Sequence, residues 1–120
     1  MAQLDEYKQD IIQKMREVGT YKSSFENTID AYARAMRDYD EACAAFENLG
    51  SKFMVKHTNK AGAENIVKNP YYLIIEELRR VMLAYATQLG LTPSGLKKIN
   101  DEMKSKGGKS KLAEALANLQ

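Results

Sequence analysis

A single cysteine, a single histidine and two prolines leave this chain with few of the residues that reactive chemistry and abrupt chain reversals need. Cys43 has no partner, so no internal disulfide can form and nothing points to an oxidising compartment. No apolar run approaches the roughly 20 residues of a membrane-spanning helix. Met1 to Asp10 is too polar for a secretory signal, and a cytoplasmic location is the expectation.

Catalytic chemistry is equally thin. Cys43 falls within an apolar periodic pattern, where it reads as a small core residue, and His57 stands alone in a polar loop with no second His or Cys at ligand spacing. Gly107-Gly108-Lys109-Ser110 resembles the end of a phosphate-binding loop, but that motif needs a glycine where Met103 stands and a preceding strand. The carboxylate pairs Glu76-Glu77 and Asp101-Glu102 fall on the polar sides of amphipathic segments. The reading is of a protein that is not an enzyme and uses no metal or cofactor.

What is present begins with balance: 44% apolar and 28% charged residues over 120 positions describe one small folded domain with a modest core. The formal net charge of +2 hides an asymmetry. Residues 1–50 hold 6 Lys/Arg against 10 Asp/Glu, whereas residues 51–120 hold 12 against 6. Such a basic half suits contact with a phosphate backbone; a dipolar surface without a nucleic-acid partner gives the same count.

Both prolines carry a helix-start signal. Asn69-Pro70 and Thr92-Pro93 each place a capping side chain before a proline at the first helical position, where its missing N–H costs nothing. No Pro or Gly interrupts Tyr71 to Leu89, and Gly90 supplies a left-handed stop, so the stretch is predicted to be one helix. An earlier helix is predicted over Leu4–Val18, closed by Gly19. A second starts at a capping box in Ser23-Ser24-Phe25-Glu26 and ends at Leu49 before Gly50.

Heptad spacing marks two of these helices. Phe25, Ile29, Tyr32, Met36, Tyr39, Cys43 and Phe46 recur at alternating steps of 4 and 3, as do Tyr71, Ile75, Leu78, Met82, Tyr85 and Leu89. The two seams either bury each other in an antiparallel hairpin or join neighbouring subunits, and the hairpin is the simpler solution. Between them Ser51–Lys68 is an arm, a β-hairpin or a loop, with Lys52–Lys56 as a short strand and Ala61-Gly62-Ala63 as a turn. A fourth helix runs from Pro93 with Leu96, Ile99 and Met103 inward. The expected fold is all-α: a long antiparallel helical hairpin with flanking short helices and, on one reading, a short β-hairpin at 51–68. Residues 1–104 form its domain, and 105–120 a basic flexible linker and a short amphipathic helix with Leu112, Leu116 and Leu119 on one side.

Candidate phosphate contacts are Lys97, Lys98, Lys104, Lys106, Lys109 and Lys111, with Arg79, Arg80 and the loop lysines Lys52, Lys56, Lys60 and Lys68 extending the patch. The segment from Val81 through Gly90 to Met103 also has the outline of a helix-turn-helix, which would turn Ser94, Gly95, Lys97, Lys98 and Asp101 to a DNA groove.

Lys68-Asn69-Pro70, then an amphipathic helix with Arg79-Arg80, then Leu89-Gly90-Leu91-Thr92-Pro93-Ser94 resembles the C-terminal signature of bacteriophage terminase small subunits. The layout before it is similar too, a short helix and then a long one centred on Ile29-Asp30-Ala31-Tyr32-Ala33, and the resemblance covers roughly residues 4–104. Many members carry an arginine soon after the second proline, where this chain has Lys97 and Lys98. The resemblance implies a non-catalytic subunit in the cytoplasm of an infected bacterial host. Such a subunit recognises double-stranded phage DNA, assembles into a ring of identical copies and serves a large subunit holding the ATPase and nuclease. The leucines of 112–119 then become a candidate docking face for that large subunit. A small helix-turn-helix regulator and a helical adaptor without DNA binding are the alternatives.

Overall fold

The computed structural model describes the backbone of residues 3–118, and the side chains of 3–105 and of Leu116. Four α-helices and one β-hairpin follow in the order α1 (Leu4–Val18), α2 (Glu26–Asn48), β1 (Met54–Thr58), β2 (Glu64–Lys68), α3 (Pro70–Gln88) and α4 (Pro93–Asn118). The molecule is elongated, with extents of 84 × 28 × 22 Å.

Helix α1 forms where expected and ends at Gly19, whose φ of 78° lets its N–H reach back to the carbonyls of Met15 and Arg16. Ile11, Ile12 and Met15 on its inner face meet Ile29 and Ala33 of α2 and Leu89 just past the end of α3, with Tyr7, Phe25, Tyr32 and Met36 packed around them. This is the core. Tyr7 donates to Asp40 at 2.6 Å on its edge.

The start of α2 differs from the capping-box reading. A single 3₁₀ turn at Ser23–Phe25 leads into the helix, and no side chain caps it. Glu26 instead accepts a 2.6 Å hydrogen bond from the Tyr21 hydroxyl, so the carboxylate that a capping box needs is engaged elsewhere.

The heptad seam of α2 also resolves differently. Its fully buried residues are Ile29, Ala33, Ala35 and Ala42, while Phe25, Tyr32, Met36, Tyr39, Cys43 and Phe46 are half-buried. At 3.6 residues per turn the large seam residues form a ridge between two packing faces. Ile29, Ala33 and Met36 turn towards α1. Tyr32, Tyr39 and Phe46 meet α3, Tyr32 stacking on Tyr85 at 6.2 Å, Tyr39 receiving Arg79, and Phe46 lying 5.8 Å from Tyr72. These contacts descend one helix as they climb the other.

On α3 the partner near the arm is Tyr72, and Tyr71, placed in the seam from sequence, is 39% exposed. The Asn69–Pro70 start sets the phase of the helix, and the Phe46–Phe53–Tyr72 cluster, with Phe53 edge-on to Tyr72 at 4.8 Å, takes the neighbouring ring. Ile75 is buried, and Leu78, Met82 and Tyr85 are half-buried.

Residues 51–68 form the β-hairpin. Met54 pairs with Lys68, Lys56 with Ile66 and Thr58 with Glu64, so the first strand lies two residues later than the Lys52–Lys56 of the sequence reading. Asn59 makes the turn: its Oδ1 accepts from the N–H groups of Ala61 and Ala63 at 3.0 Å. At the base of the arm Asn69 is 1% exposed. Its Nδ2 donates to the Lys52 carbonyl at 3.0 Å, its N–H donates to the Phe53 carbonyl at 2.7 Å, and its Oδ1 accepts from Tyr71 N–H at 3.0 Å.

One residue therefore closes the arm and caps α3. Asn69→Ala removes both side-chain bonds and leaves a shielded carbonyl unpaired, which costs about 2 kcal/mol. Asn69→Asp keeps the cap but sets a carboxylate oxygen against the Lys52 carbonyl in a buried site, a repulsion that costs at least as much. Thermal melts should place both variants below wild type, with Asn69→Ala lowered by on the order of 10 °C.

Candidate nucleic-acid interface

The corner between α3 and α4 positions Lys97, Lys98 and Lys104. Gly90 adopts φ +73°, and a Cβ there would lie 2.7 Å from the Thr20 methyl and 3.0 Å from Ile99 Cδ1. Thr20 is 2% exposed and donates from Oγ1 to the Leu89 carbonyl at 2.8 Å, satisfying an end of α3 that has no helical partner. The stretch after α1 thus buttresses the corner. Sequence reading missed Thr20; its only signal was a small hydroxyl residue following a helix-stopping glycine.

Thr92 then caps α4 as expected: its Oγ1 accepts from the Gly95 N–H at 3.1 Å and donates to Thr87 Oγ1 at 3.2 Å. Gly95 is buried, and a Cβ there would sit 2.1 Å from the Thr87 carbonyl oxygen. Only a glycine lets the two backbones approach this closely. Gly95 therefore faces α3, which corrects its assignment to a groove-reading face.

Beyond the corner α4 leaves the body. Leu96 and Ile99 are half-buried, Met103 is already 49% exposed, and Lys97, Lys98 and Lys104 are exposed with no ion pair among the described residues. Lys97 and Lys104 lie seven residues apart on one side of the helix, with Asp101 between them. Helix α4 continues to Asn118, through the stretch read from sequence as a flexible linker. Each glycine of Gly107-Gly108 weakens a helix by about 1 kcal/mol, but the surrounding Lys, Ala and Leu residues are good helix formers. The side chains of Lys106, Lys109, Lys111, Leu112 and Leu119 fall outside the described residues; Leu116 is 57% exposed.

The two arginines part company. Arg79, itself exposed, leans across the surface onto α2, its Nε donating to the Tyr39 hydroxyl at 3.4 Å with the guanidinium over the ring, and that hydrogen bond raises its already high pKa. Arg80 faces solvent 3.7 Å from Glu77. Lys52 and Lys56 are exposed on the arm, about the far end of α3 from the α4 lysines. The candidate cations thus form two groups, one on the arm and one on α4. Hydrogen bonds to carboxylates raise the pKa of Tyr7 and Tyr21, through Asp40 and Glu26, and burial raises that of Tyr32; Arg34 lowers that of Asp30. Tyr7 and Tyr32 lie where α1 packs on α2, Tyr21 ties the connection between them to the start of α2, and the Asp30–Arg34 pair lies within α2. Among the described residues no group of three or more His, Cys, Asp or Glu can hold a metal ion, and no helix is long and apolar enough to cross a membrane.

A mostly helical protein with a small antiparallel β-arm and a projecting helix, marked by exposed charge, is the class that fold and site define. The family model for phage terminase, small subunit, matches residues 5–106, and the chain belongs to that family. No curated protein and no solved structure matches it.

The corner predicts a sharp response to one methyl group. Gly95→Ala should cost about 1–3 kcal/mol by forcing α4 away from Thr87. Ser94→Ala, at an exposed neighbouring site, should leave the melting temperature within error.

Proposed function

We propose that this protein is a non-catalytic, DNA-recognising subunit of a phage packaging motor, acting in the host cytoplasm as a ring of identical copies around a helical hairpin of α2 and α3. Membership of the terminase small subunit family carries the reading. Lys97, Lys98 and Lys104, exposed and without an ion pair among the described residues, support its DNA-binding part, because cations not committed to carboxylates are free to displace counterions from a phosphate backbone. Lys97, Lys98 and Lys104 are the contacts, with Lys106, Lys109 and Lys111 continuing them along the chain. Each copy contributes a weak attraction, and a ring multiplies it into useful avidity. Phosphate contacts of this kind set position on the duplex and carry little sequence information.

Lys97→Glu with Lys98→Glu should weaken binding to any duplex and reduce the slope of log affinity against log salt by roughly 0.9 for every phosphate that is no longer neutralised. An unchanged slope with an intact fold would remove these lysines from the interface. The segment 112–119 docks on the large subunit in this scheme. Deleting residues 112–120 should abolish stimulation of the large subunit's ATPase and leave oligomer mass and DNA affinity intact; loss of the oligomer instead would assign the segment to self-assembly.

A further inference from the structure

One side of the α2–α3 pair carries a groove that nothing among the described residues fills. Ala42 and Ala45 of α2 form its floor and Tyr71 and Ile74 of α3 its wall, and it encloses about 470 Å³. Ile74 is 47% exposed. Asp38 and Glu41 border it; Asp38 lies 3.9 Å from Arg37, and Glu41 has no ion pair among the described residues. The groove is apolar inside and acidic at its rim.

The β-arm presents the complementary surface. Strand alternation and the ladder register put Met54, Lys56, Thr58, Glu64, Ile66 and Lys68 on one face, with Lys68 opposite Met54 and Lys56 opposite Ile66 near the body and Glu64 opposite Thr58 near the tip. Ile66 is 70% exposed and Met54 49%, whereas Val55 and Val67 on the reverse face are half-buried. The half of this face nearest the body, an apolar pair checkered with two lysines, fits a groove with small residues at the bottom and carboxylates at the edge. The arm leaves the groove of its own chain open. Charge over the whole molecule runs the same way, residues 1–50 being net acidic and 51–120 net basic.

We infer that the β-arm of one copy docks in the α2–α3 groove of the next, Met54 and Ile66 seated over Ala42 and Ala45 with Lys56 and Lys68 against Asp38 and Glu41. The contact joins two different surfaces, so it repeats head to tail and closes into a ring when the rotation per copy permits. It rests on the ring assembly proposed above and identifies the surfaces that build it. A duplex is the other candidate occupant of the arm, since a two-stranded ribbon fits the major groove. The exposed Ile66 and Met54 favour protein, because apolar side chains gain little along a phosphate backbone.

Native mass spectrometry on the full chain decides. An arm variant, Met54→Asp with Ile66→Asp, and a groove variant, Glu41→Gln with Ile74→Asp, should each be monomeric with wild-type helical circular dichroism. Their equimolar mixture should stop at a dimer, because one intact arm and one intact groove remain. Independently, Lys56→Glu with Lys68→Glu should dissociate the oligomer, and adding Asp38→Lys with Glu41→Lys to the same chain should restore it. A ring that survives all of these substitutions overturns the docking and leaves ring assembly standing; a wild-type monomer overturns both. Arm variants that keep the oligomer and lose duplex affinity would assign the arm to DNA.

Discussion

Burial of one amide side chain organises the second half of the molecule. Asn69 holds the Lys52 carbonyl through its side chain and the Phe53 carbonyl through its backbone, and accepts the first free N–H of α3. Those bonds fix where the arm leaves the body and at what phase α3 begins. The phase in turn selects Tyr72 over Tyr71 for the cluster with Phe46 and Phe53, and leaves Tyr71 and Ile74 on the outside. A shift of one residue would swing the buried face of α3 by about 100° and carry its apolar stripe off α2.

Helix α2 is the element that the others share. Its alanines allow close approach on both sides, and its tyrosines fill the ridge between while keeping their hydroxyls near water or a partner. The interior is therefore small for a chain of this length, and the apolar surface left on α3 and the arm is correspondingly large.

Local rules were legible where one residue acts on its own neighbours. The extent of α1, the caps at Asn69 and Thr92 and the stops at Gly19 and Gly90 all follow from adjacent residues and appear as read. Choices between tertiary partners were not legible. Glu26 satisfies a capping pattern yet bonds Tyr21, and the α2 seam has regular spacing yet divides between α1 and α3. The β ladder began two residues late because Asn59, a turn residue by its side-chain bonds, sets the register from the tip. Lys97, Lys98 and Lys104 were readable as a cluster, but Thr20 and Gly95, which aim them, interact only through distant backbone.

Contact between backbones at Gly95 and Thr87 gives α4 the character of a cantilever. From Gly95 to Lys104 the helix rises about 14 Å, so a tilt of roughly 10° at the clamp carries the Lys104 backbone about 2 Å sideways. That displacement exceeds the roughly 0.5 Å over which hydrogen-bond lengths ordinarily vary. Mechanical stiffness at the fixed end, where no charge resides, thus sets how accurately the free end can be aimed.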